Sequence, residues 1–186
     1  MMRAKSAIPV VVVLLLATAA GQQHHRDPLN DLEIDKLRDA AQLPEIRLKL
    51  YVDFARARLD NMEKVRADTK AENREKQTRD ALQDFLDVYD ELDDNVNTFA
   101  DRRDDLRKAL KPVIEADTEF GAKLRAFRAS LANTPKEAES YAFLLGSALD
   151  TVDAAAKDHR DLLAEQEEAF KNRKKQGHKD NSQRPE

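Results

Sequence analysis

Histidine is the side chain best suited to metal binding and acid–base chemistry, and the sequence has four: His24, His25, His159 and His178. Zinc sites need clustered His or Cys ligands, and di-iron bundles need Glu-x-x-His pairs. The chain has no cysteine and no Glu-x-x-His, and only His24 and His25 are adjacent. A haem would need Met62 and His159 to meet from separate helices, whereas Met usually fills a core. We therefore predict no metal and no cofactor.

Nucleophilic catalysis needs a hydroxyl or thiol beside a base. Ser147 follows Gly146 in the segment LLGSALD, but that segment is not a strand–turn–helix elbow and no histidine is close to it in sequence. The sequence also has no glycine-rich phosphate loop. We predict that the protein is not an enzyme.

Four polar residues interrupt stripes that are otherwise apolar: Arg103, Asp117, His159 and Gln166. Two interpretations are open. Such residues can specify helix register, or lie partly exposed with their apolar stems buried. Alternatively, they form a functional site.

An acidic strip is a second candidate feature. It recurs at helical spacing on the side opposite Phe85, Leu92 and Phe99, and its members are Asp87, Glu91, Asp94, Asp101 and Asp105. The simplest interpretation is a solvated helix face. The functional interpretation is a docking strip for a cationic partner, including the protein's own basic tail.

The N-terminal segment has the pattern of a secretory signal peptide. Arg3 and Lys5 precede a run of 13 apolar residues from Ile8 to Ala20, which is too short to span a bilayer as a helix. Ala17-Thr18-Ala19 fits the cleavage rule, so we expect cleavage between residues 19 and 21. The absence of cysteine fits a periplasmic protein without disulfides, with full secretion as the alternative.

The distribution of charge along the chain argues against some classes of binding partner. Without residues 1–21 the chain has 30 basic and 36 acidic residues, a net charge of −6. The segment 22–170 has 24 basic and 34 acidic residues, a net charge of −10, whereas the segment from Lys171 onward is basic. An acidic body argues against nucleic acid or an anionic membrane surface as the main partner.

Apolar periodicity predicts an all-α fold. The 67 residues between Pro44 and Pro112 contain neither glycine nor proline, too few turn residues for a β-rich fold. A short first helix should cover residues 30–41, and a second should begin at Pro44. A polar stretch after Val65 precedes a change of phase, so the chain should turn there, with Asn73 as the pivot. The next stripe continues from Leu82 to Leu131 at coiled-coil spacing.

Two prolines shape the C-terminal half. Pro112 lies within the long stripe and predicts a kink or a break; we prefer a kink because the phase survives it. Pro135, in the segment NTPKE, predicts the start of the last helix, which should end near Arg173, with Gly177 as its stop.

These boundaries predict an elongated antiparallel bundle of three long coiled-coil-like helices plus one short N-terminal helix. The expected organisation is a cleavable signal peptide at 1–21, a flexible segment at 22–29, a helical domain at 30–173 and a disordered, flexible basic tail at 174–186. After cleavage we expect no membrane span, and a monomer or weak homodimer.

Arg103 is the one basic residue in the long stripe, and a buried arginine needs a carboxylate. If the chain turns near residues 133 and 134, antiparallel pairing places Arg103 level with residue 164. We therefore predict an Arg103–Glu165 or Arg103–Asp161 pair that fixes helix register.

Function is predicted only at the level of class. We expect an exported cell-envelope protein that acts through a long helical surface, as a structural or protein-interaction module with a protein partner. The alternative is a periplasmic holdase-type chaperone or ligand sensor that binds in a groove of the bundle. An exposed apolar strip would favour the alternative, and a fully covered core would favour the first class.

Overall fold

The computed structural model describes the backbone of residues 27–181 and the side chains of residues 27–174. It contains α1 (Asp31–Asp39), α2 (Pro44–Ala67), α3 (Arg74–Asp101), α4 (Leu110–Ser130) and α5 (Pro135–Asn181). The described residues include no strand, so the predicted all-α fold is confirmed. None of the described helices is long and apolar enough to cross a membrane.

Glu33 holds the short first helix, α1, in place. Asn30 and Glu33 form a capping box in which each side chain accepts from the other's backbone N–H at 3.0 Å. The Glu33 carboxylate also pairs with Arg58 of α2, and Leu37 is buried in the core. Glu33 therefore both caps α1 and fastens it to α2.

Helices α2 and α3 form a hairpin whose turn lies in the polar stretch, as predicted. Asn73 has a φ of 55°, a left-handed conformation that asparagine tolerates. The Asp68 side chain accepts from the Lys70 N–H at 2.9 Å and stabilises the start of the turn. The phase change before Leu82 therefore reflects a reversal of chain direction.

The predicted long third helix is instead two helices, α3 and α4, separated by a linker of residues 102–109. The Asp104 N–H donates to the Phe99 carbonyl at 3.0 Å and the Arg103 N–H donates to Ala100 at 2.8 Å. With Arg103 at a φ of 63°, these bonds form a Schellman motif. Pro112 lies in the first turn of α4, where a missing N–H breaks no helical bond. The predicted kink at Pro112 is wrong, because the helix ends at Asp101, before the proline.

Arg103 occupies a left-handed position that glycine usually fills, so Arg103→Gly should stabilise the protein. The left-handed conformation costs a side chain about 1–2 kcal/mol, and the freedom of glycine in the unfolded chain offsets part of this gain. We expect the free energy of unfolding, measured in urea, to rise by about 0.5–1 kcal/mol. Arg102→Gly is the control, because φ is −72° there and glycine should destabilise. A less stable Arg103→Gly protein would contradict this explanation.

Helices α4 and α5 form the second hairpin. Arg125 pairs with Asp153, and the rings of Phe127 and Tyr141 are 5.4 Å apart. Helix α5 begins at Pro135 as predicted, but it continues through Gly177 to Asn181, so the predicted stop at Gly177 is wrong. The predicted leader, residues 22–26 and the last five residues of the tail lie outside the described residues.

The two hairpins pack into a four-helix bundle in which α2 lies beside α4 and α3 lies beside α5. Arg56 binds Glu119 through Nε and Nη2 at 2.9–3.1 Å, and Lys123 binds Asp60 at 2.6 Å. Both pairs are separated by 63 residues, so α2 and α4 run parallel and in register. Consecutive helices run antiparallel, so the predicted antiparallel bundle is confirmed, but it has four long helices rather than three.

Aromatic rings at the centre of the bundle join α3 to the diagonally placed α4. Phe85 and Phe120 meet edge to face, with ring centroids 5.4 Å apart, and Tyr89 packs edge to face on Phe120 at 6.1 Å. All three are 0% exposed. This geometry adds to the stabilisation that their burial provides, and it places the Tyr89 hydroxyl deep in the core.

Candidate functional site

Four polar side chains from three helices meet inside the bundle. Tyr89 and Asp93 come from α3, Asp117 from α4 and His159 from α5. Asp117 is 2% exposed and His159 is 1% exposed. Asp93 lies at the edge of the group, with 33% of its side chain exposed. We call these four residues the buried polar cluster. Asp117 and His159 are two of the four residues that interrupt the apolar stripes.

Asp117 is the centre of the cluster. Its Oδ1 accepts from the Tyr89 hydroxyl at 2.7 Å, and its Oδ2 lies 2.9 Å from Nδ1 of His159. The other ring nitrogen, Nε2, lies 3.2 Å from Oδ1 of Asp93, close enough for an ion pair but without the alignment of a hydrogen bond. His159 is therefore held between two carboxylates that come from different helices.

The two carboxylates keep His159 protonated. Burial acts to lower the pKa of the imidazole, but Asp117 and Asp93 outweigh burial and raise that pKa to about 9. The pKa of Tyr89 is also raised, by burial first and then by the charge of Asp117. At neutral pH the cluster is thus a neutral tyrosine and an imidazolium between aspartates.

This arrangement resembles a proton relay, and of its four members Asp93, whose side chain is 33% exposed, reaches the protein surface. A general acid or base must come within hydrogen-bonding distance of the reacting group, and Asp117 and His159 are almost fully buried. Both ring nitrogens of His159 face carboxylates, so neither is directed at a haem iron. Among the residues with described side chains, no group of three or more His, Asp or Glu is arranged to hold a metal ion. The cluster instead fixes α3, α4 and α5 at one level.

Gln166, the third interrupting residue, binds the linker between α3 and α4. Its Oε1 accepts from the Leu106 N–H at 2.8 Å, and its Nε2 donates to the Asp104 carbonyl at 3.1 Å. These bonds satisfy backbone groups that the broken helix leaves without helical partners. The glutamine therefore holds the break in place from α5.

Arg103 does not occupy the predicted core position. It is exposed in the linker, and no ion pair joins it to Asp161 or Glu165 within the described part of the chain; Asp161 binds Lys157 instead, at 2.9 Å. The predicted pair is wrong because α3 ends at Asp101, which removes Arg103 from the helical stripe. At this level of α5, Gln166 contacts the linker.

The predicted acidic strip is continuous only on α3. Glu91, Asp94 and Asp101 are exposed, and Asp87 accepts from the Gln83 amide at 2.7 Å. Asp105 lies in the linker, where hydrogen bonding to Arg107 lowers its pKa to about 2. It therefore belongs to a local ion pair rather than to the helix face.

Asp90 is a member of this face that the sequence pattern did not single out. Its pKa is raised by partial burial and then by the neighbouring carboxylates of Asp87, Asp94, Asp93 and Glu91. After burial, the remaining causes of the shift are these four carboxylates, which shows that negative charge is concentrated on this part of α3. We call Asp90, Glu91 and Asp94 the acidic face of α3.

Fold and site together define a four-helix bundle of two hairpins with a buried ionic cluster at its centre. Comparisons with protein-family models, with curated proteins and with solved structures find no match to this chain. A proposal about its function therefore rests on the chain's own residues and their geometry.

Proposed function

We propose that this protein is an exported, non-catalytic interaction module of the cell envelope that binds a protein partner through an extended helical surface. The observation that carries the proposal is the C-terminal end of α5. Beyond Phe170, which stacks against the Arg107 guanidinium at 3.6 Å, the described side chains 171–174 are all exposed. We call residues 171–181 the α5 extension.

The covered core also supports this class of function. Among the described side chains, the exposed large apolar ones are Leu32, Leu43, Ile46, Phe143 and Phe170. They lie on the short first helix, at the start of α2 and at two separate points of α5, not along one strip. A client-binding chaperone needs a continuous apolar surface, so their placement favours an interaction module over a holdase.

The ligand-sensor alternative would use a groove in the bundle. A cleft of about 270 Å³ lies between α2 and α4, lined in part by Met62, Arg66, Lys123 and Phe127. This volume is below the roughly 300–1,000 Å³ of typical small-molecule pockets. A second cleft of about 520 Å³, between the α2–α3 turn and the start of α5, is within that range, but polar and charged side chains such as Arg74, Lys136 and Glu137 dominate its lining. In the first cleft, Arg66 already stacks on Phe127 at 4.8 Å, and Lys123 is paired with Asp60. The cleft's polar groups are thus engaged by the protein itself.

Site-specific photo-crosslinking in the native host tests the proposal. A photoreactive amino acid at Lys174, in the α5 extension, should give a discrete protein adduct in the exported fraction, on a chain that has lost its leader. Asp158, exposed on α5 within the bundle, is the matched control and should give little adduct. If Lys174 gives no adduct, or if the protein keeps its leader and stays inside the cell, the proposal is wrong.

A further inference from the structure

The apolar stripe that crosses the linker between α3 and α4 is symmetric about Arg103. Phe99 lies four residues before Arg103 and Leu106 lies three residues after it, while Val96 and Leu110 each lie seven residues away. The further members match in the same way, to within one residue: Leu92 with Val113, Tyr89 with Asp117, Phe85 with Phe120 and Leu82 with Leu124. A helix with such a stripe can pair antiparallel with a second copy of itself, stripe against stripe.

Within one chain, α3 and α4 already use this symmetric pairing. Phe85 meets Phe120 with ring centroids 5.4 Å apart, and the Tyr89 hydroxyl donates to Asp117 at 2.7 Å. Because these partners lie at nearly equal distances on either side of Arg103, folding the chain back at the linker brings them together. Two continuous helices that crossed at Arg103 would bring the same residues together between two chains.

The linker itself is compatible with a helix. Residues 102–109 contain neither glycine nor proline. In the four-helix bundle Arg103 has a φ of 63°, a conformation that is unfavourable for a residue with a side chain. A helix through the linker would relieve this strain and join α3 to α4 as a single helix of residues 74–130, roughly 85 Å long.

We propose that this chain exchanges its α4–α5 hairpin with a second copy, so that α3, the linker and α4 become one helix and each α4–α5 hairpin packs on the other copy's α2–α3 hairpin. Domain swapping of this kind re-forms the contacts of the monomer between two chains and closes the assembly about a twofold axis. The Arg56–Glu119 pair, the Lys123–Asp60 pair and the buried polar cluster would each form again, with members from both copies. Such an exchange goes beyond the proposed function and is independent of it.

Three features favour the monomer over the exchanged dimer. Gln166 binds the Leu106 N–H and the Asp104 carbonyl, backbone groups that only a broken helix leaves without helical partners. Pro112 would lie inside the continuous helix, where it removes a backbone hydrogen bond and clashes with the preceding turn. Arg103 would face the same residue of the other copy at the twofold axis, where like charges repel. We therefore expect the exchanged dimer to be a minor species of the native protein that increases with protein concentration.

Sedimentation velocity on the purified mature protein, refolded from urea at high protein concentration, tests the inference. Arg103→Leu should strengthen dimerisation at least about tenfold, because an apolar contact replaces a repulsive one at the axis. Gln166→Ala should also strengthen it, since it removes a contact that the dimer lacks. Arg103→Gly should weaken it, because glycine suits the left-handed position and disfavours the continuous helix. Circular dichroism of each variant checks that the helices are intact.

Crosslinking between differently labelled chains shows which copy supplies each helix. Arg56→Cys chains and Glu119→Cys chains, which have no other cysteine, are mixed in urea, refolded together and treated with a short bismaleimide. In the exchanged dimer α2 of one chain lies beside α4 of the other, so a covalent dimer should form, and more of it when both chains also carry Arg103→Leu. Arg47→Cys mixed with Asn95→Cys is the matched control, because the bond between these residues joins α2 to α3 within one hairpin and stays within one chain.

Three results would overturn the inference. The first is that the native protein and the Arg103→Leu variant both remain monomeric after refolding at high concentration. The second is a dimer that gives no crosslink between the chains labelled at residues 56 and 119, which would mean association through an outer surface. The third is a control pair that crosslinks as readily as the test pair, which would mean that the α4–α5 hairpin is not the unit exchanged.

Discussion

Replacing Asp117 with alanine should destabilise the protein by about 3–5 kcal/mol, because it removes the central partner of a buried ionic cluster. The imidazolium of His159 would lose its 2.9 Å contact and the Tyr89 hydroxyl would lose its acceptor at 2.7 Å. An unsatisfied buried donor and an under-compensated buried cation both carry a large desolvation cost. Urea denaturation followed by circular dichroism measures the change.

Glu119→Ala is the matched control for this experiment. Glu119 lies on the same helix and pairs with Arg56 at a partly exposed site, where an ion pair contributes about 1 kcal/mol or less. Replacing the three buried members of the cluster with apolar residues, through Tyr89→Phe, Asp117→Leu and His159→Leu together, should recover most of the stability that Asp117→Ala loses. Asp93 can be kept, because its side chain is 33% exposed. If Asp117→Ala costs no more than Glu119→Ala, the cluster does not hold the bundle together.

The helices could be predicted because each apolar stripe is a local property of the sequence. Leu82, Phe85 and Leu92 lie in the predicted stripe and are all 0% exposed. The break after Asp101 could not be predicted in this way, because the stripe continues in phase on both sides of it. It depends on a Schellman motif with arginine at the left-handed position, where sequence patterns lead one to expect glycine.

Only two of the four residues of the buried polar cluster could be singled out from the sequence. Asp117 and His159 stood out as polar residues in apolar stripes, but the pattern did not join them or connect them to Tyr89 and Asp93. Their pairing requires α3, α4 and α5 to lie side by side at one level. In the predicted bundle α3 and α4 were one continuous helix, in which Tyr89 and Asp117 would lie far apart. A buried tyrosine needs a hydrogen-bond partner, and this was the one available signal that Tyr89 belonged to a polar group.

The acidic strip could likewise be predicted only in part from the sequence. Glu91 and Asp94 follow helical spacing on α3, so their shared face was predictable. The prediction extended this strip through Asp105, which the linker removes from the helix. The direction of α5 relative to α3 is a tertiary property, and it places Arg173 close enough to Asp105 to help lower the pKa of that carboxyl group.

The stability of the protein should depend on pH through His159. His159 has a pKa of about 9 in the folded protein and about 6.5 in an unfolded chain, so folding favours the protonated form. The stabilisation is fully present below pH 6.5, falls by roughly 1.4 kcal/mol per pH unit above it, and is lost once the pH passes about 9. The complete loss should be about 3 kcal/mol.

The proper measurement is the difference between the native protein and a His159→Gln variant, each unfolded in urea from pH 6 to 9.5. Subtracting the variant removes the titration of His24, His25 and His178, which both proteins share. The raised pKa of Tyr89 acts only above the tyrosine's ordinary range near pH 10, so it does not affect this window. The native protein should lose stability as the pH rises and the variant should show little slope. Equal slopes, or a native protein that gains stability between pH 6.5 and 9, would show that Asp117 and Asp93 do not hold a proton on His159.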